Sequence, residues 1–190
     1  MCRMCSPTPR CRRPEAVTVT APAALRILGV DPGSRVTGYG LVDDRRDSLA
    51  HVHSDQIKPG DLALPERLEK IFNGMSRVIS EYRPGLLAVE QVFMARNAHS
   101  ALVLGHARGA VICAAVRAGL PVAEYGARRI KQAVVGYGAA DKQQVQHMVR
   151  ALLGMTQPPP EDAADALACA ICHAHSRAAS RRLAAAGGQS

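Results

Sequence analysis

Apolar and polar positions along the chain alternate between two rhythms. Short continuous apolar runs at residues 27–30 and 86–89 read as buried strands. Residues 37–42 follow the first run after a Pro-Gly-Ser turn and read as its antiparallel partner. Residues 51–57 form a plausible third strand, with His51 and His53 alternating on an exposed face. The helical rhythm starts with Leu68, Ile71, Phe72, Met75 and Ile79, which predicts a helix over Leu64–Tyr82, stopped by Arg83-Pro84-Gly85. Further helices are predicted over 98–118, Ala127–Val135, 142–153 and 161–177, with a short strand at Val122–Tyr125. Asp43-Asp44-Arg45-Arg46-Asp47 reads as a solvated hairpin end. Strands followed by alternating helices and strands imply an α/β fold, a mixed sheet flanked by helices on both faces.

Charge narrows the picture less than its total suggests. The chain of 190 residues carries +8, of which +3 falls in residues 1–24 and +3 in 177–190. The remaining +2 makes bulk charge a weak argument for nucleic acid; placed residues must carry it. Three segments follow: 1–24, a disordered extension or a start assigned too early, with Leu25 as the natural first residue; 25–176, one folded domain; and 177–190, a flexible Ala/Gly tail. No apolar run is read as a membrane span. The six cysteines form no persuasive disulfide framework, and reduced thiols of a cytoplasmic protein are the simpler reading.

The chemistry is concentrated in acids. Two apolar runs end in a carboxylate, Ile27-Leu28-Gly29-Val30-Asp31 and Leu86-Leu87-Ala88-Val89-Glu90. Sites in α/β sheets gather at the carboxyl ends of strands, and neighbouring parallel strands would bring Asp31 and Glu90 together. The last predicted helix adds Asp162 and Asp165, three apart and so on one face. Its alanines make it thin enough to lie close on a sheet. Each acid alone has a plain structural reading: Asp162 in a first helical turn complements the macrodipole. Together, four buried acids repel and need a counter-charge. Oxygen-only ligands suit Mg²⁺ or Mn²⁺, and two such ions about 4 Å apart would support phosphodiester hydrolysis.

DPGSRVTGYGLV, LAVEQVFMARN, GYGAADKQQVQHMV and DAADALACAICHAH, in this order, resemble the RuvC family of bacterial Holliday junction resolvases. The resemblance spans residues 25–176. It implies a ribonuclease H-like fold, a homodimer, and two Mg²⁺ ions per subunit, with Mn²⁺ able to substitute, held by Asp31, Glu90, Asp162 and Asp165. It implies symmetric nicking of two opposed strands of four-way junction DNA in recombination and repair, alongside the RuvA–RuvB branch-migration complex. It assigns Lys131 and Lys142 to DNA phosphate and Phe93 to stacking or wedging beside an unpaired base. Arg96 is a further candidate backbone contact, as are Arg108, Arg128 and Arg129. The helix over 98–118 is the candidate dimer element, since Leu102, Leu104, Val111 and Val116 spread around several faces.

Rival readings remain for these motifs. A related nuclease acting on RNA shares the acids. The Asp-x-Gly-Ser turn also resembles the phosphate hairpin of actin-like ATPases, which are much longer and need a second such domain. A junction-binding module without catalysis would have no need of the carboxylates. Cys169-x-x-Cys172-His173 matches a haem-attachment pattern, but inside an alanine-rich helix it reads as core.

Overall fold

The computed structural model describes residues 24–45, 48–91 and 97–187. The apolar run at 27–30 lies within strand β1 (Leu25–Asp31), which pairs antiparallel with β2 (Thr37–Asp44), Ile27 facing Val42. β3 (Leu49–Ile57) adds antiparallel to β2. After α1 (Leu64–Tyr82), β4 (Leu86–Glu90) enters on the other side of β1, parallel to it, with Val30 level with Val89. α2 (Ala98–Arg117) leads to β5 (Val122–Tyr125), parallel to β4. The order is β3-β2-β1-β4-β5. Then come α3 (Ala127–Val135), α4 (Lys142–Leu152) and α5 (Glu161–Gly187).

The two-residue period of the strands divides the core into two layers. Leu28, Val30, Leu41 and Leu87 face α1 and α2, where they meet Ile71, Met75 and Val111. Ile27, Val42 and Ala88 face α3, α4 and α5, where they meet Ile130, Val149, Leu167 and Ile171. Each of the large side chains at zero exposure contributes about 1.5–3 kcal/mol by leaving water. Arg83 caps α1 in the left-handed conformation (φ 48°), and its N–H returns to the Ile79 carbonyl, so the helix stops where the Arg-Pro-Gly punctuation predicts.

Four expectations change. Asp44 is not in a solvated turn. It belongs to β2, is 5% exposed, and accepts an ion pair from Arg177 at 2.7 Å, with Arg181 at 3.6 Å. That pairing is possible because α5 runs past Arg177 to Gly187 instead of giving way to a tail. His53 is half-buried, stacked on Tyr82 at 5.1 Å between ring centroids and 3.3 Å from the Tyr39 hydroxyl. α2 is long and apolar enough, by length and composition, to cross a membrane, which the sequence reading overlooked. Here it lies on the core through Ala107, Val111, Ala114 and Ala115, while Leu102 and Val116 are exposed.

Candidate active site

Parallel pairing sets the first two acids side by side. Asp31 follows Val30 and Glu90 follows Val89, and those two valines are level across β1 and β4. α5 supplies the other two by crossing the sheet at backbone contact. Gly29 lies under it, where a Cβ would collide with the Ala166 carbonyl oxygen. At Gly38 a Cβ would strike the Asp162 carbonyl. On the helix side Ala163, Ala164, Ala166 and Ala170 are fully buried. Small residues on both surfaces thus let the first turn of α5 settle over the strand tips with Asp162 and Asp165.

The acids interact as a group. Burial, then the charges of Asp165, Glu90 and Asp162, push the Asp31 carboxyl up to about 7, with Lys142 working against the rise. Glu90 is raised by burial and by Asp165, while Lys131 opposes the rise. Asp165 is raised by burial despite Lys142 Nζ at 3.1 Å, so desolvation outweighs that pairing. Among the described residues no three His, Cys, Asp or Glu side chains close into a single metal cage. Asp165 instead turns toward Lys142, and Asp162 accepts a 2.6 Å hydrogen bond from Gln56 Nε2. Gln56 comes from β3 and was not foreseen; nothing near it in sequence marks it.

Both predicted lysines border this site. A cavity of about 180 Å³ has Glu90 and Asp165 together with Lys131 and Lys142 in its walls. Lys131 Nζ donates to the Ala140 carbonyl at 2.8 Å. Lys142 opens α4 directly after its cap Asp141 and bridges Asp165 and Glu161. Burial lowers its pKa, but hydrogen bonds to those two acids more than compensate, and it stays firmly charged. Asp141 and Gln144 form a reciprocal capping box that fixes this helix start.

Other candidates fare differently. Phe93 and Arg96 lie outside the described residues. Arg108 is held internally, donating to the Glu90 carbonyl at 3.2 Å and pairing with Glu124 at 2.7 Å, so it braces the tips of β4 and β5. Arg129 lies over the Tyr125 ring at 5.3 Å and donates to Ser176. Cys169 and Cys172 are buried in the core, and the Tyr125 hydroxyl is 2.8 Å from His173 Nδ1.

Comparison with known proteins follows the same residues. The family model for crossover junction endodeoxyribonuclease RuvC matches residues 27–173. A protein of that name from Marinobacter nauticus is 56% identical over 163 residues, covering 86% of this chain and 93% of the relative. Another, from Halorhodospira halophila, is 59% identical over 154 residues, covering 81% and 92%. The solved structure of Thermus thermophilus RuvC in complex with a Holliday junction substrate superposes with a TM-score of 0.78 at 36% identity, covering 82% of this chain and 96% of that one. With its motifs, its sheet order and these matches in agreement, this chain belongs to the RuvC family of crossover junction endodeoxyribonucleases.

Proposed function

We propose that this protein resolves Holliday junctions in recombination and repair, nicking two opposed strands of four-way DNA symmetrically. The observation that carries the reading is the convergence of Asp31, Glu90, Asp162 and Asp165 at the strand tips, with Asp31 driven up to about 7. Acids that raise one another's pKa at neutral pH need a cation to ionise fully, and an all-oxygen donor set fits Mg²⁺, with Mn²⁺ as a substitute. Those four side chains would hold two Mg²⁺ per subunit. When bound, the ions supply an activated water and charge stabilisation at the scissile phosphate.

The chain's own groups do the rest. Gln56 orients Asp162. Lys142 and Lys131 would attract and seat backbone phosphate at the cavity rim. Phe93 stacks on a base beside the crossover, and Arg96 adds a backbone contact. Symmetric nicking requires two sites, and a homodimer supplies them. Leu102 and Val116 on α2, 63% and 60% exposed, are the apolar surface that such a dimer would cover. RuvA–RuvB is the proposed branch-migration partner, and the cytoplasm, with its chromosomal DNA, is the proposed location.

Asp31→Asn tests the reading on labelled four-way junction DNA, with structured RNA as the competitor substrate. The wild type should cut the junction in Mg²⁺ and leave RNA intact. The variant should bind the junction with similar affinity and cut at least a thousandfold more slowly, on the order of losing one metal ligand. Normal cutting by Asp31→Asn refutes the metal assignment.

A further inference from the structure

We propose that a pocket between the β1–β2 turn and the start of α2 seats a phosphate of the junction strand that enters the active site, with Arg67 and Arg35 as positioning residues. This rests on the reading above. The pocket holds about 340 Å³ and is walled by Ser34, Arg35, Arg67, His99 and Ser100, together with Val103 and Leu104. No acid lines it. Two arginines, a histidine and two hydroxyls with no carboxylate make a site for an anion rather than for a cation or an apolar group.

Arg67 is the most telling of these. It lies in the first turn of α1, and its Nε is buried with no hydrogen-bond partner among the described residues. A buried guanidinium N–H without an acceptor is costly, and native structures rarely tolerate one. Among the described residues its Nη1 reaches only the Ser34 carbonyl, at 3.4 Å, the long limit for such a bond. The neighbouring acid, Glu66, is exposed and is not in the pocket wall. Arg67 therefore holds donors ready for an acceptor that the described residues do not offer. Arg35 is exposed at the mouth.

Position identifies which phosphate. Ser34 is three residues beyond Asp31, at most about 10 Å of chain. With roughly 3.4 Å of rise per nucleotide in a stacked strand, the pocket lies within about three nucleotides of the carboxylates. A phosphate held there by two guanidinium groups fixes the register of the strand while Asp31 and its partners act on another linkage.

The test is junction binding in EDTA across a salt series, with Arg35→Gln, Arg67→Gln and Arg67→Lys. Arg77→Gln, an exposed site further along α1, controls for loss of charge alone. Arg35→Gln and Arg67→Gln should each weaken binding roughly tenfold and lower the slope of log K against log salt by about one more than Arg77→Gln does. Arg67→Lys should recover part of the slope. Slopes equal to that of Arg77→Gln overturn the proposal. If Arg67→Gln fails to fold, Arg35→Gln decides. Thermal melts in inorganic phosphate at matched ionic strength form a second arm. Stabilisation that needs Arg67, with junction slopes unchanged, would mean a small-anion site and also overturn the DNA assignment. A wild type that neither binds nor cuts junctions overturns the underlying reading and this proposal with it. A wild type that does both, with slopes insensitive to Arg35 and Arg67, overturns this proposal alone.

Discussion

Asp31→Asn should make the metal-free protein more stable at alkaline pH, even as it abolishes cutting. The folded Asp31 carboxyl sits near 7, against an ordinary value of 3.8. The native state therefore holds a proton that the unfolded chain releases. Its contribution to stability is complete below the unfolded value and is lost as pH rises through the folded one. About three units at 1.36 kcal/mol each set a ceiling of about 4 kcal/mol on that loss by pH 8. Partial solvation at the open end of the sheet reduces this, so about 2–4 kcal/mol is expected. Asparagine carries no charge and escapes the loss. In EDTA the variant should be more stable by that amount at pH 8 and by about 1–2 kcal/mol at pH 5. Urea unfolding at the two pH values measures it, and in thermal melts the pH 8 difference corresponds to roughly 5–15 °C for a chain of this size. Mg²⁺ should then narrow this gap. At a hundred times its dissociation constant it would stabilise the wild type by about 2.7 kcal/mol and the variant by less. Equal stability of the two proteins at pH 8 in EDTA would refute the claim that burial and mutual repulsion raise the Asp31 pKa.

Two further outcomes test how the site is held. Gly38→Val should destabilise the fold by more than about 3 kcal/mol, because its side chain would meet the Asp162 backbone rather than a flexible tip; urea unfolding reads this, and a loss under 1 kcal/mol would show that α5 can lift off the sheet at little cost. Asp44→Asn leaves Arg177 and Arg181 without their shared anion at the far end of β2, and a loss of about 1–3 kcal/mol is expected; hydrogen exchange should show faster opening of residues 177–187, and unchanged protection there would remove the ion pairs as the anchor of that helical end.

The sequence by itself determined the α/β plan of a sheet with helices on both faces, because strand and helix periods are local properties. Apolar runs ending in Asp31 and Glu90, and the three-residue spacing of Asp162 and Asp165, were visible without coordinates for the same reason. The small residues of α5 even indicated a close approach to the sheet. Only the tertiary structure decided what that helix rests on. Gly29 and Gly38 are unremarkable in a strand until α5 is laid across them. Gln56 reaches Asp162 from 106 positions away in the chain, a contact that no local pattern encodes. Asp44, read as a loop acid, became a buried anchor because its partners lie 133 positions or more further on and belong to a helix that continues past its expected end. No local pattern singles out Arg67 on α1, and its unmatched donor appears only where α1 meets the β1–β2 turn. Periodicity reports which side of an element faces inward. Which polar atoms meet there, and how strongly burial shifts their charge, depends on distances between elements remote in sequence, and those are set only when the layers pack.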